Sequence, residues 1–235
     1  MTTYDGSGDP ACADGSADDI FRDLPPEQRA WLERRMVSTE FAAGHIFYTP
    51  GEQGDQLMIV RRGRVRLYKL SPEGRALTLF VLEPQAVFGE LALVDRHHDS
   101  FAEAMTDCRI GLLDRVTLRE LLRAHPAVTL RFMDMMSERL RALERKLADI
   151  AFKSVPQRLA SVLLNLADCR AEAPSPDDPP AVVRYTHQQL AEMIGSYRET
   201  VTKAVGEFRE DGLIRVEEDV IFLTDVLRLR ELASR

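Results

Sequence analysis

The sequence predicts an α+β protein with three parts: an amino-terminal β-roll of the jelly-roll type, a long helix and a carboxy-terminal winged helix-turn-helix. Three observations predict this fold. Short apolar runs separated by turn residues fill the region from about 41 to 113, a pattern typical of closely spaced strands. A heptad-like apolar pattern follows between 126 and 152. Two short amphipathic segments joined at a glycine lie near the carboxyl end.

Composition limits the classes of function. The chain has 235 residues, 45% of them hydrophobic, and no apolar run approaches the roughly 18 to 20 residues of a membrane span. The acidic, polar amino terminus is unlike a signal peptide, so we expect a cytoplasmic protein without a membrane partner. The three cysteines, Cys12, Cys108 and Cys169, are too far apart for a zinc or iron–sulfur pattern.

The amino-terminal elements follow from local signals. Residues 1–18 lack an apolar period and predict a disordered tail. A proline pair at 25–26 predicts the start of a short helix, with Trp31, Leu32 and Met36 on its buried face. Four strands are then predicted, each followed by turn residues, at 46–48, 57–60, 65–68 and 77–82.

Two helices are predicted next, and the second carries a regular apolar seam. The first covers 118–124 and ends near Pro126. The second runs to about Phe152, and its apolar residues recur at alternating steps of three and four, as in a two-stranded coiled coil. The seam residues are Met133, Met136, Leu140, Leu143, Leu147 and Ile150. They predict a homodimer interface, with an ordinary amphipathic helix packed on its own domain as the alternative.

After a break at Val155-Pro156, the sequence predicts a helix from 157 to about 170, a loop over 171–181, a strand at 182–185 and then the clearest motif. Thr186 is suited to cap a helix that ends at Gly195, and Leu190, Met193 and Ile194 form its inward face. Ser196 is expected to open a second helix, from Tyr197 to about Asp211, with its inward face at 201, 205 and 208. A hairpin formed by 212–216 and 220–223 predicts the wing.

These segments resemble the cyclic-AMP receptor/fumarate-nitrate regulator (CRP/FNR) family over nearly all of the chain after residue 20. The resemblance rests on 51–63 in the β-roll, on Phe88-Gly89-Glu90-Leu91-Ala92-Leu93, and on Gly195-Ser196-Tyr197-Arg198-Glu199-Thr200-Val201. It implies a cyclic-nucleotide-binding-like sensory domain at 19–125, a dimerisation helix and hinge at 126–153, and a DNA-binding domain at 154–235. It also implies a homodimeric transcription regulator, usually an activator, with double-stranded DNA and RNA polymerase as partners.

The resemblance assigns the DNA-binding residues. Arg198 matches the family's guanine reader and Glu199 the residue that accepts from a cytosine amino group, and both pairings suit the major groove. Lys203 replaces an arginine, so it would contact a base more weakly or a phosphate. Thr186 and Gln188 match phosphate contacts, and Thr200 lies beside the readers. The net charge of this region argues against DNA binding, because residues 154–235 contain ten basic and fourteen acidic side chains, a net −4.

The sensory site departs from the family. Cyclic-nucleotide binders place an arginine after the Gly-Glu-Leu stretch, where its fork grips a phosphate. Here no arginine falls in that place, which is occupied by His98-Asp99 or Asp99-Ser100. Cyclic AMP is therefore disfavoured, no cofactor is assigned, and the chain resembles members that act without an effector. If an effector binds, we expect it at Gly89, Glu90, Leu91, His98, Asp99 and Ser100.

Other interpretations are weaker. His97-His98 invites a haem or metal hypothesis, but a histidine pair in a loop is usually solvated, so no metal site is predicted; with Arg96 the pair could still form a looser anion site. An enzyme is not predicted and no catalytic residue is assigned, because a nucleophile elbow, a P-loop, a Rossmann fingerprint and an HExxH motif are missing. A ligand-binding module without DNA binding is opposed by the helix-turn-helix.

Overall fold

The structure is a computed structural model, and it describes residues 20–94, 96–168, 179–183, 185–218 and 220–234. The predicted tail at 1–18, two of the cysteines and most of the predicted 171–181 loop lie outside the described residues. The chain divides into two compact units, one extending to Arg145 and the other running from Lys146 to the carboxyl end.

The first unit contains two four-stranded antiparallel sheets that form the predicted β-roll. One sheet has the order β1-β8-β3-β6 and the other β2-β7-β4-β5. The strands are β1 (Val37–Phe41), β2 (Ile46–Tyr48), β3 (Gln56–Arg62), β4 (Val65–Leu70), β5 (Ala76–Leu82), β6 (Val87–Phe88), β7 (Phe101–Ala104) and β8 (Cys108–Asp114). A 3-10 turn, Glu90–Leu93, follows β6.

Strand β3 shows how the roll is built, because both of its faces are buried. Leu57 and Ile59 pack into a cluster with the helices, while Met58 and Val60 point into the interior of the roll. This is the two-residue alternation of a strand applied to two apolar environments at once. The sheet therefore separates a helix-facing core from a roll-interior core.

Helices cover one side of this unit. They are α1 (Pro26–Arg35), α2 (Arg115–Ala124) and the start of α3 (Pro126–Phe152). Leu32 and Met36 are buried as predicted, and Trp31 is half-buried with the Arg35 guanidinium 4.6 Å above its ring. Helix α2 begins three residues earlier than predicted, because the Asp114 carboxylate accepts hydrogen bonds from the first-turn amides of Val116 and Thr117.

The second unit is the predicted winged helix-turn-helix with one further helix. Its elements are α4 (Val155–Asp168), β9 (Ala181–Val183), α5 (His187–Ile194), α6 (Arg198–Glu210), β10 (Ile214–Glu217), β11 (Val220–Leu223) and α7 (Val226–Ser234). Strands β10, β11 and β9 form an antiparallel sheet in that order. Helix α7, which the sequence reading did not include, packs on α4 and buries Leu229. The predicted fold class is confirmed.

Candidate DNA-binding surface and β-roll interior

The turn between α5 and α6 is fixed by caps at both ends of α5. Thr186 Oγ1 accepts from the Gln189 amide at 3.2 Å, and the Gln189 side chain accepts from the Thr186 amide at 2.8 Å, forming a capping box. Gly195 ends the helix at φ +63°, a left-handed conformation that suits glycine. Helix α6 then begins at Arg198, with Tyr197 as its cap residue. The expectation that Ser196 opens this helix was wrong by one residue, because the cap position is Tyr197, whose side chain makes no cap hydrogen bond.

The two faces of α6 differ sharply. Val201, Val205 and Phe208 are buried against the rest of the unit, as predicted. The opposite face presents a polar surface consisting of Arg198, Glu199, Thr200, Thr202 and Lys203, all exposed. In the described part of the chain, no hydrogen bond or ion pair engages the Arg198 or Glu199 side chain, whereas Lys203 Nζ lies 3.7 Å from Glu207 Oε1. Arg198 and Glu199 are therefore positioned to contact another molecule.

The first helix presents a second polar edge. Thr186 and Gln188 are exposed, and Gln188 Nε2 donates to Glu192 Oε1 at 2.9 Å. His187 lies between them and connects to α6 through Thr202. The wing hairpin β10–β11 carries Arg215, whose guanidinium lies 4.5 Å above the Phe222 ring and pairs with Glu217. A polar surface thus extends over the starts of α5 and α6.

The family-like stretch at 89–91 adopts a tight turn in the β-roll. Gly89 has φ +79°, and a Cβ there would lie 2.5 Å from the Gln56 carbonyl oxygen, so only glycine fits. Glu90 follows as the first residue of the 3-10 turn, and its side chain is 30% exposed. Leu91 is half-buried. The backbone of this turn therefore requires the glycine of the motif.

The histidine pair behaves differently from the expectation. His97 is exposed, but His98 is only 5% exposed and stacks on Tyr48 with ring centroids 3.6 Å apart and planes 7° apart. The expectation that the histidine pair is solvated was therefore wrong for His98, because the loop places its ring on a buried aromatic side chain. Burial lowers the pKa of His98 and raises the pKa of Tyr48. Both rings are held in their neutral forms near pH 7.

The other predicted effector residues share no single environment. Asp99 is exposed, and Ser100 is half-buried and lowers the pKa of Tyr48 against the larger effect of burial. Three of the six predicted residues act on the buried Tyr48: His98 stacks on its ring, Glu90 raises its pKa through charge, and Ser100 lowers it.

Arg139, which the sequence analysis missed, is a cation buried against the β-roll, as is Arg64 between β3 and β4. Arg139 lies on α3 with 5% of its surface exposed, and its Nη2 donates to the Val87 carbonyl. Its Nη1 is 3.5 Å from Glu90 Oε2, and its guanidinium carbon is 5.8 Å from the centroid of the Phe80 ring. Burial lowers the pKa of Arg139, and the facing Glu90 carboxylate raises it.

A signal for this residue was present in the sequence. Arg139 lies three residues after Met136 and four before Leu143, so it shares their helix face. Both of these neighbours are half-buried and pack on the core of the first unit. A charged residue on a face that packs against a core must find a partner there.

The apolar seam of α3 is divided between two environments. Met136 and Leu143 pack on the chain's own core, while Met133, Leu140 and Leu147 are 60%, 59% and 69% exposed. Ile150 is 37% exposed, and Leu130, at 63%, extends the exposed stripe by one residue at its start. Two of the six predicted seam residues are therefore already covered within the chain, and the other four are exposed.

Two negative findings concern the described residues only. No group of three or more His, Cys, Asp or Glu side chains there could hold a metal ion. None of the helices there is both long enough and apolar enough to cross a membrane.

Comparisons with known proteins match both units. Residues 38–125 match the family described as "Cyclic nucleotide-binding domain", and residues 157–232 match the "Crp-like helix-turn-helix domain". The chain is 32% identical to the "CRP-like cAMP-activated global transcriptional regulator" of Mycobacterium tuberculosis, over 89% of this chain and 94% of that protein. It is 35% identical to the "Transcriptional regulator SdrP" of Thermus thermophilus, over 84% and 94%.

A solved structure agrees with these relatives. The crystal structure of a CRP/FNR family transcriptional regulator from Thermus thermophilus superimposes with a TM-score of 0.69 at 33% identity, over 85% of this chain and 99% of that one.

Proposed function

Because this chain belongs to the CRP/FNR family of transcription regulators and has the family's helix-turn-helix domain, we propose that it binds an inverted-repeat promoter site as a homodimer without needing a small-molecule effector. The DNA-binding part rests on the exposed pair Arg198 and Glu199 at the start of α6, whose side chains have no hydrogen-bond or ion-pair partner among the described residues. Side chains at this end of a recognition helix enter the major groove.

Base reading follows from the chemistry of this pair. The planar fork of Arg198 matches the O6 and N7 acceptors of a guanine, and the Glu199 carboxylate accepts from a cytosine amino group. Each half-site then contains two neighbouring G·C pairs, similar to the TGTGA and TCACA halves of the family. Thr200 and Lys203 lie beside the readers, and Thr186 and Gln188 contact phosphates that set the register.

Contacts made by a few positioned side chains are also compatible with the net negative charge of the DNA-binding unit. The second unit has a net negative charge, so a diffuse basic field cannot supply its affinity. Exposed cationic and amide groups concentrated at the starts of two helices can bind phosphates and bases locally.

The exposed stripe on α3 supports the dimer. Met133, Leu140 and Leu147 recur at intervals of seven, which is the spacing that faces a parallel partner helix. Burying side chains of this size contributes about 1.5 to 3 kcal/mol each, enough to exceed the entropic cost of association. Met136 and Leu143 join the interface only along the edges they leave exposed, because their inner surfaces pack on the chain's own core.

Effector independence is supported by the interior of the roll. The place of the missing phosphate arginine is taken by His98-Asp99 or Asp99-Ser100, and His98 is stacked on Tyr48. Arg139 binds the Val87 carbonyl and faces Glu90, so it connects α3 to the turn that an effector would otherwise contact. Through these contacts Arg139 attaches α3 to the interior of the β-roll. A cytoplasmic location, activation of transcription and contact with RNA polymerase are further parts of this proposal that follow from the family.

The second candidate is an effector-gated regulator. It is favoured by the 32% identical relative, whose name states that it is activated by cAMP, and by the retained Gly89-Glu90-Leu91 turn.

One experiment separates the two candidates. Bound sequences are selected from random DNA with the full chain, and the dissociation constant of the best duplex is measured by fluorescence anisotropy with and without cyclic AMP. We expect an inverted repeat whose affinity changes by less than about twofold with cyclic AMP, an energy difference of less than about 0.4 kcal/mol. A gain of tenfold or more would favour effector gating, and failure to enrich any sequence would contradict DNA reading.

A further inference from the structure

Two residues, Lys153 and Ser154, form the junction between α3 and α4. The Lys153 amide donates to the Asp149 carbonyl oxygen at 3.0 Å and so continues the hydrogen-bond ladder of α3. The Ser154 amide donates to Gln157 Oε1 at 2.7 Å, which is the side-chain half of a capping box at the start of α4. Both amides of the junction are therefore hydrogen bonded within the chain.

The Lys153 side chain connects the two helices across this junction. Its Nζ lies 2.7 Å from Asp149 Oδ1, in the last turn of α3, and donates to Ser161 Oγ on α4 at 3.0 Å. An ammonium group can only donate, and the Ser161 hydroxyl in turn donates to the Gln157 carbonyl oxygen at 3.1 Å. The Lys153 and Asp149 side chains are 25% and 30% exposed, so solvent screens this pair less than a fully exposed one.

A side chain that holds α4 also holds the recognition helix. The residues of the junction and their partners all belong to the unit that starts at Lys146. Within this unit α4 packs on α5, α6 and α7, and Leu159 and Leu163 of α4 are completely buried. A change in the direction of α4 relative to the last turn of α3 would therefore move α5 and α6 with it.

We propose that Lys153 is a positioning residue: by joining Asp149 to Ser161 it fixes the direction in which α4 leaves α3, and so sets the separation of the two recognition helices in the dimer without an effector. This inference rests on the proposed function, in which α3 carries the dimer interface and α6 reads the half-sites. Two reading helices that are already about 34 Å apart, one turn of B-DNA, can bind both half-sites of an inverted repeat at once.

A simpler role for Lys153 is general attraction of DNA through its positive charge. The two roles make opposite predictions for Asp149. If charge alone matters, removing this carboxylate strengthens DNA binding. If the ion pair matters, the same change releases Lys153 from α3 and loosens the junction. D149N is therefore the variant that separates positioning from charge.

The test measures dissociation constants by fluorescence anisotropy for three kinds of duplex: the selected inverted repeat, the same repeat with one half-site scrambled, and the repeat with its spacer changed by one or two base pairs. The proteins are the unmodified full chain, K153M, D149N, S161A and K153R. R145M is the matched control, because Arg145 is an exposed cation on α3 outside the junction.

We expect the unmodified chain to prefer the inverted repeat over the single half-site by about a hundredfold or more, and to lose much of this preference when the spacer changes. In K153M and D149N the preference should fall by about tenfold and the spacer should matter less, because the second recognition helix is then presented at a lower effective concentration. S161A should lie between these variants and the unmodified chain. K153R should retain most of the preference, since a guanidinium can donate to both partners.

The control and the contrary outcomes are distinct. R145M should change the affinity for all duplexes by the same factor and leave the preference intact. If K153M and D149N keep both the preference and the spacer dependence of the unmodified chain, change the preference in opposite directions, or lower affinity equally for every duplex, Lys153 does not position α4 and this inference alone is overturned. If the unmodified chain selects no inverted repeat, the proposed function fails and this inference fails with it.

Discussion

The buried pair formed by Arg139 and Glu90 gives a quantitative prediction for Arg139→Met. Methionine fills a similar volume but leaves the Glu90 carboxylate and the Val87 carbonyl without the guanidinium. Removing one partner of a buried ion pair costs about 3 to 5 kcal/mol. Because the Glu90 side chain is 30% exposed and can gain hydration, we expect the lower end, a loss of about 3 kcal/mol in the free energy of unfolding.

Two further variants make this prediction specific. In Arg139→Met with Glu90→Met, no buried charge is left unpaired, and we expect recovery to within about 1 kcal/mol of the unmodified chain. Arg141→Met is the matched control on the same helix, since the Arg141 side chain is 64% exposed and its pair with Glu138 should contribute less than about 0.5 kcal/mol.

The assay is urea unfolding of the full chain, followed by circular dichroism at equal protomer concentration, because dimerisation would otherwise alter the apparent stability. If Arg139→Met lies within about 0.5 kcal/mol of Arg141→Met, the pair does not connect α3 to the roll. If the double variant is no more stable than the single one, the cost comes from lost packing rather than from the unpaired carboxylate.

Three other substitutions test the dimer interface, the cap of α2 and the turn at Gly89. Replacing Leu140 and Leu147 by Glu should give monomers, and a double variant that still sediments as a dimer would show that the exposed stripe on α3 is not the interface. Asp114→Ala should lose about 1 kcal/mol with the cap of α2. Because hydrogen bonds from Thr117 and the first-turn amides lower the folded pKa of Asp114, its contribution is present above the ordinary carboxyl pKa and is lost as pH falls through the lowered value. The stability gap in urea between D114A and the unmodified chain should therefore narrow on acidification, and a gap that stays constant would contradict this cap. Gly89→Ala should cost about 1 to 3 kcal/mol more than Gly74→Ala in thermal or urea unfolding, since both have positive φ but an added Cβ meets a backbone carbonyl only at Gly89; equal costs would show that the turn relaxes.

Much of the fold could be predicted because local and long-range signals agree. Thr186 and Gly195 mark both ends of α5 through their own chemistry, and the structure places a capping box and a left-handed residue there. The strands that are short apolar runs bounded by turn residues, β2 to β5, were found within a few residues. Helix α7 was missed although a cap signal precedes it, since Asp225 Oδ1 accepts from the Arg228 amide at 3.0 Å. The helix packs on α4.

The DNA-binding residues were predicted better than the contacts inside the β-roll. Arg198 and Glu199 are exposed at the start of α6, where a helix-turn-helix pattern places them. The interior of the roll depends on contacts between residues distant in sequence. Tyr48 meets His98 fifty residues later, and Arg139 meets Glu90 from another element. A single sequence does not reveal such pairings, because the loop that brings His98 onto Tyr48 has no periodic pattern.

Selection of bound sequences by the unmodified chain, Arg198→Ala and Gln188→Ala in parallel tests whether Arg198 reads a base. We expect Arg198→Ala to lose about 1 to 3 kcal/mol of binding free energy and to relax the preference at one G·C pair in each half-site. Gln188→Ala, which removes a proposed phosphate contact, should weaken all sequences about equally. If Arg198→Ala instead lowers affinity uniformly for cognate and scrambled DNA, with no preference changed at any position, then Arg198 contacts the backbone and the claim is wrong.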